Sequence, residues 1–479
     1  MENSRGKKHR REAGAARLRQ AFSDYGMALV LAALCALFSL LTISEQHPTG
    51  AAAGDNLCAQ LAAGTAPGGA VVVIGQATGD DSAMVRTLVG RLANAGRTVR
   101  PPVFGSPAEV RARLEALDSA GQAAPLIVTS HAYYAAVTMV AAQVAGFRAA
   151  KVCEPSPHRW PTFLLADNLR NVANQISVIA IIAVGMTLVI ITAGIDLSVG
   201  SLIALSAVVS AWLIGRAGGD QAGPAAMILA SLGGILLAGG VGAFSGFMVT
   251  GFRIPPFIAT LAMMQVAAGL GYIISQGKPI YQLPDSFVWL GRGVDPVFHI
   301  PNAVILMVLL YAAAHVVMTR TTYGRYVYAV GGNPEAAHLA GIRVKAVLFS
   351  VYVICGLLAG LGGVVMASQL KSGAPTYGLT YELYVIAAVV VGGTSLMGGE
   401  GRILGTLIGA FIIAVIQNGM NLINVESYTQ KVILGLVILA AVLADRLKQR
   451  RLARRRPGPS ARRDPKPDNT ATANTEQRP

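Results

Sequence analysis

The sequence predicts an all-α polytopic membrane protein of about ten transmembrane helices, with a small α/β domain, a three-stranded parallel sheet, inserted after the first helix. Three observations point there. The 479-residue chain is 53% hydrophobic and 13% charged, about half the charge fraction of an ordinary soluble protein. Apolar runs of membrane-crossing length recur at 26–43, 171–193, 197–214, 226–250, 257–275, 302–318, 346–368, 382–398, 403–423 and 429–444. Residues 44–160 differ from the rest, alternating short β-branched runs with amphipathic ones.

The formal net charge of +15 sits at the two ends. Arg5 to Arg19 precede the first run, and Arg446 to Lys466 follow the last. Basic clusters abutting membrane helices reflect the positive-inside rule and attraction to anionic lipid. With no folded basic module, nucleic-acid binding is excluded. Both termini are therefore expected in the cytoplasm, which an even number of spans satisfies. The first run exceeds the usual core of a secretory signal of about 7–15 residues, so it reads as a retained helix. The expected domains are a basic tail over 1–25, the first helix over 26–43, an extracytoplasmic insert over 44–160, a membrane core over 161–447 and a disordered basic tail over 448–479.

Within the insert, Gly69 to Gly75 is a β-branched run typical of a buried parallel strand. Asp81 or Ser82 is placed to cap a helix with Met84, Val85, Leu88, Val89 and Leu92 at helical spacing. Val99 to Phe104, marked by prolines, reads as a second strand near an edge. Ser106-Pro107 opens a helix bearing Val110, Leu114 and Leu117. Leu126 to Val128 gives the third strand and Tyr133 to Val144 the third helix. Cys58 and Cys153 flank these elements. In an oxidising compartment they could close the base of the domain as a disulfide, or remain two separate thiols. Cys35 and Cys355 fall in apolar runs and read as small fillers.

Three stretches of the membrane core stand out. In Val184 to Ser201 an apolar run reaches Asp196 and continues into a second apolar run. A carboxylate at bilayer depth costs roughly 2.5–3.5 kcal/mol or more, so it faces a partner or a water-filled path. In Tyr323 to Lys345, Asn333 is placed as an N-cap, Pro334 as the first helical residue, Glu335 as a first-turn acid and Gly341 as the stop of a short helix. This helix carries a small-residue face of Ala336, Ala337 and Ala340. Gly392 to Gly405 is glycine-rich enough for an unwound segment lining a cavity. There Glu400 and Arg402 either pair or lie at headgroup level. Val178 to Ile203 is echoed faintly by Val385 to Ile408, as in transporters with duplicated halves.

These stretches resemble the permease subunits of bacterial monosaccharide (ribose/xylose-type) ATP-binding-cassette importers, over roughly 20–43 and 161–448. The resemblance implies a multi-pass bacterial inner-membrane permease, paired as a homodimer, with a separate ATPase subunit and an extracytoplasmic sugar-binding protein. It implies ATPase coupling through Gly324, Arg325, Asn333, Pro334, Glu335, Ala336 and Gly341. From their polarity within the apolar core, Thr187, Asp196, Ser198, Gln265, Gln417, Asn418 and Asn421 are the candidates for the translocation pathway, with Asp196 read as a structural and gating carboxylate. Gln417 and Asn421 share a helix face, where carboxamides can meet sugar hydroxyls or serve as glue between helices. The insert departs from that family, and its strand–helix order loosely resembles one lobe of a periplasmic sugar-binding protein. A docking or regulatory platform for the binding protein is the expected role.

No phosphate-binding loop occurs, since Gly277-Lys278 continues into Pro279, and no nucleophile elbow or zinc spacing is present. The seven histidines are scattered, none at ligand spacing from a cysteine or carboxylate. No enzyme activity, cofactor or metal is expected. Two other functional classes fit the composition: an ion-coupled secondary transporter using Asp196 as a relay, and a membrane sensor reading a ligand through the insert.

Overall fold

The computed structural model describes residues 26–64, 69–77 and 79–455. They divide into two units, Leu37–Leu165 and the remainder. The chain opens with α1 (Gly26–Leu41). In the Leu37–Leu165 unit, β1 (Ile43–Gln46) leads to α2 (Gly50–Gly64), β2 (Val71–Gly75), α3 (Asp80–Asn94), β3 (Val103–Phe104) and α4 (Pro107–Ser119). Then come β4 (Leu126–Thr129), α5 (His131–Gln143), β5 (Lys151–Cys153) and β6 (His158–Pro161).

A parallel sheet in the order β3-β2-β4-β5 forms the centre. Every residue of β2 is buried, because helices cover both faces. Val71 and Val73 pack with Leu57, Met84 and Leu88 of α2 and α3, while Val72 and Ile74 pack with Val110, Leu114 and Val137 of α4 and α5. Separately, β1 pairs antiparallel with β6, matching Ile43 to Pro161.

The details depart from the sequence reading at several points. The sheet has four strands rather than three, because Lys151–Cys153 adds to β4. Such a short segment carries too little period-2 pattern to be read. Neither Asp81 nor Ser82 caps α3: the helix starts at Asp80 after Gly79, and the Asp81 carboxylate instead accepts the Gln76 N–H at 3.0 Å. Val99 to Phe104 is strand only at Val103–Phe104, with an isolated bridge from Val99 to Val71. Pro101 and Pro102 lack the N–H groups a continuous ladder needs. β3 does lie at the edge. α2 and the β1–β6 pair had no sequence counterpart. Ser106 caps α4 as expected, in a reciprocal box with Glu109. Cys58 and Cys153 are free thiols that pack against the same apolar cluster, and burial raises the Cys153 pKa.

The remaining unit is helical: α6 (Ala166–Ile191), α7 (Val199–Arg216), α8 (Pro224–Gly251), α9 (Pro256–Ser275), α10 (Trp289–Arg292), α11 (Asn302–Arg320), α12 (Thr322–Gly332), α13 (Pro334–Leu339), α14 (Val344–Leu370), α15 (Tyr381–Val391), α16 (Ile403–Leu422) and α17 (Ser427–Arg455). Among the described residues, seven of these helices are long and apolar enough to cross a membrane: α6, α7, α8, α9, α11, α14 and α16. Three shorter apolar helices, Gly26–Leu41, Tyr381–Val391 and Ser427–Leu443, coincide with the other runs read from the sequence. The run 382–398 is helical only to Val391, where Gly392 and Gly393 end it.

α6 is the central helix, with 89% of its apolar span buried against 22% for α9 and α11. α14 lies against α6, α7 and α8. A Cβ on Gly356 would come within 2.6 Å of the Ala238 carbonyl oxygen of α8, so only glycine permits that spacing. α17 continues through Arg455, so residues 448–455, expected to be irregular, are helical. The expected basic tail over 1–25, and residues 456–479 of the other, lie outside the described residues.

Candidate translocation and coupling site

Residues 192–198 link α6 to α7, and residues 392–402 link α15 to α16. The two echoing sequences thus both form helix, irregular link, helix. The links meet: the Gly399 N–H donates to the Ile191 carbonyl at 2.8 Å, and Gly398 lies beside Ala193. α12 joins them at the same place. Gly331 sits directly on the Ile191 carbonyl and the Gly399 amide, and the Tyr328 hydroxyl donates to the Gly401 carbonyl at 2.8 Å. Ahead of the short helix expected after Asn333, the structure adds α12. Its signal was present, since Thr321 caps it through the Gly324 N–H.

α13 follows immediately. The Asn333 carboxamide oxygen accepts the N–H groups of Glu335 and Ala336, each at 3.0 Å, so the expected cap is made. Gly341, at φ 83°, closes the turn after it. Asn333, Pro334, Glu335, Ala336, Gly341 and Arg325 are exposed, and Leu339 stands 87% exposed. The small-residue face is not uniform, because Ala337 turns inward while Ala336 and Ala340 face out. Gly324 is buried against the Met318 backbone, so it serves the α11–α12 corner rather than the exposed surface. Glu400 and Arg402 are exposed, and the Arg402 charge lies near Tyr328.

Asp196 is fully buried inside the first link. Its Oδ1 accepts from the Ser198 N–H at 2.9 Å and the Ser198 hydroxyl at 2.6 Å, and the carboxylate abuts the Cys355 thiol of α14. Thr187 is also fully buried and shares a hydrogen bond of 2.8 Å with Thr406, joining α6 to α16. Asn418 exchanges two hydrogen bonds with Asn168, at 2.8 and 3.0 Å. These four residues, Thr187, Asp196, Ser198 and Asn418, are held by their own partners.

The other three pathway candidates line cavities. Gln417 and Asn421 of α16 face a cavity of about 170 Å³ with Gln175 of α6, Tyr381 and Tyr384 of α15, and Gln430 of α17. Gln265 of α9 faces a second, of about 200 Å³, with Ser201 of α7, Tyr272, Tyr377 and Glu382. α15 contributes to both, Tyr381 to one and Glu382 to the other. Both cavities fall below the roughly 300–1,000 Å³ of a tight small-molecule pocket. Glu382, the tyrosines, Gln175 and Gln430 were not singled out from the sequence. A carboxylate opening an apolar run, as Glu382 opens 382–398, is the available signal.

Residues 168–442 match the family described as the branched-chain amino acid transport system / permease component. The chain belongs to this permease family. The permease is 44% identical to the ribose import permease protein of Escherichia coli over 293 residues, which is 60% of this chain and 88% of that one. It is 38% identical to the D-allose transport system permease of the same organism over 285 residues, covering 60% and 85%. It is 37% identical to the L-arabinose transport system permease over 290 residues, covering 60% and 86%. No solved structure matches the permease. As a permease, the chain is a transport component and not an enzyme.

Proposed function

We propose that this chain is the transmembrane subunit of an ATP-binding-cassette importer, carrying a monosaccharide or a similar small polar solute into a bacterial cytoplasm. The supporting observation is the junction at which α12 meets both links through Gly331 and Tyr328 while α13 presents a capped, exposed face. A push on α13 from an ATPase would reach the link holding Asp196 and the glycine-rich link together, which is how rigid elements convey a two-state change. Relatives named for ribose, allose and arabinose support the solute class. Cavities lined by carboxamides, tyrosines and one carboxylate suit hydroxyl-rich cargo. Their small size favours passage over storage, leaving affinity to a separate binding protein.

In this reading the three shorter apolar helices complete ten spans, and both termini are cytoplasmic beside anionic lipid. Two copies of the permease pair with ATPase subunits that engage Arg325, Asn333, Pro334, Glu335, Ala336 and Gly341, with Gly324 shaping the corner behind them. The α/β insert lies outside the cytoplasm as a platform for the binding protein, where Cys58 and Cys153, free thiols packed against one apolar cluster in this structure, oxidise to a disulfide that closes its base. Gln265, Gln417 and Asn421 touch the passing solute, while Thr187, Asp196, Ser198 and Asn418 hold the pathway walls. The test is uptake of labelled ribose, allose and arabinose into proteoliposomes holding the permease, its genomic-neighbour ATPase and binding protein. ATP-dependent accumulation of one of them supports the reading. Accumulation driven by an ion gradient without ATP would refute it.

A further inference from the structure

The insert brings together three side chains that the sequence keeps far apart. His47 follows β1, His131 is the first residue of α5 after β4, and Glu154 directly follows β5. One ligand atom from each lies within 4.8 Å of the others. His131 Nδ1 donates to Glu154 Oε2 at 2.6 Å, and the His47 and His131 rings stack with centroids 3.4 Å apart and planes 5° apart.

The supporting contacts fit a ligand set. His47 Nδ1 lies 3.3 Å from the Pro155 carbonyl oxygen, which can only accept, so Nδ1 is the donor in this contact and Nε2 is the nitrogen turned away from it. Metal-bound histidines are held in the same way by a carbonyl or carboxylate on the other ring nitrogen. The position in the fold also fits. His131 and Glu154 stand at the carboxyl ends of β4 and β5, next to the β2–β4 boundary where the chain reverses its direction of winding, the usual place for ligands in open parallel sheets. Beside His131 the buried hydroxyls of Thr129 and Ser130 have no hydrogen-bond partner among the described residues.

We propose that His47, His131 and Glu154 form a site for a divalent transition-metal ion of the zinc class. Two imidazoles and one carboxylate are the donors of an open tetrahedral site, with water in the fourth position. Ligand atoms about 2.0–2.2 Å from a shared ion lie about 3.3 Å apart. Rotation of the two imidazoles, neither fully buried, unstacks them to reach this spacing. The ion takes the place of the hydrogen between His131 Nδ1 and Glu154 Oε2, and a neutral imidazole ligating through Nδ1 carries its proton on Nε2. The ion ties the segment before α2 to the far edge of the sheet. The inference rests on the insert alone and stands apart from the solute the permease moves.

The test uses the full chain in detergent, purified without a polyhistidine tag, stripped with chelator and titrated with Co²⁺ and then Zn²⁺. A single equivalent of Co²⁺ with the intense visible spectrum of a four-coordinate site, displaced by Zn²⁺, is expected. His47→Ala, His131→Ala and Glu154→Gln should each weaken binding at least tenfold, and His158→Ala should not. In the unaltered protein, Zn²⁺ should shield His47 and His131, but not His158, from histidine-modifying reagent. The proposal is overturned if the unaltered chain binds no stoichiometric Co²⁺, if the three variants bind as the parent does, or if shielding is absent.

Discussion

Replacing Gly331 with alanine should sever the junction between α12 and the two links. A Cβ there falls onto the Ile191 carbonyl oxygen, nearer than real Cβ atoms approach any atom, and 2.8 Å from both the Gly399 nitrogen and the Ile191 carbonyl carbon. All three neighbours are backbone, so no side chain can rotate away. The segments must part, which breaks the 2.8 Å hydrogen bond from Gly399 to Ile191. Overpacking of this kind costs about 1–3 kcal/mol and the lost buried hydrogen bond about 1 kcal/mol, for a total of about 2–4 kcal/mol. The adjacent Gly332 is the control, because a Cβ there meets nothing within 4 Å. Thermal unfolding in detergent should show Gly331→Ala several degrees below the parent and Gly332→Ala unchanged. In proteoliposomes with ATPase and binding protein, Gly331→Ala should hydrolyse ATP without proportionate uptake. The reasoning fails if Gly331→Ala matches the parent in both assays, or if Gly332→Ala is equally damaged.

Four further outcomes follow from the same structure. Glu335→Arg inverts the charge in the exposed first turn of α13 and should lower uptake per ATP hydrolysed while membrane insertion stays normal; unchanged coupling would place the ATPase contact elsewhere. Asp196→Leu leaves the buried N–H and hydroxyl of Ser198 without their acceptor, at about 1–3 kcal/mol each, and should abolish uptake, whereas Asp196→Asn keeps an acceptor oxygen and should retain part of it. The Ser106 amide donates to Glu109 and holds its carboxyl below the ordinary range. Since the folded value is the lower one, this contribution is complete above the unfolded carboxylate pKa and fades as pH falls through the folded value. Glu109→Gln should therefore lower the insert's melting temperature at neutral pH and converge with the parent in acid. Peptide mapping under non-reducing conditions should recover a Cys58–Cys153 peptide from protein exported into an oxidising compartment; free thiols at both positions would exclude the bridge.

The sequence by itself determined the helical membrane core, because runs of apolar residues as long as a bilayer is thick have few other uses. It also determined local features that depend on neighbouring residues: the Ser106–Glu109 box, the Asn333 cap on α13, the stop at Gly341. Tertiary structure decided what depends on distance along the chain. Gln417 and Asn421 were readable as a helix face, but only packing showed that they open onto a cavity while Asn418 between them is spent on Asn168. Asp196 was conspicuous in sequence, yet its partner Cys355 comes from a helix 159 residues later. The fourth strand went unread because three residues, Lys151–Cys153, carry almost no period, and they become a strand only when β4 offers its edge. His47, His131 and Glu154 give the sharpest contrast. At separations of 84 and 23 residues no ligand spacing exists to be read, and it is the tertiary fold, which sets the end of β1 beside the carboxyl ends of β4 and β5, that brings one ligand atom from each within 4.8 Å of the others. Patterns within a few residues are set by backbone geometry and survive in sequence, whereas contacts across elements are set by the packing of whole faces and leave no local trace.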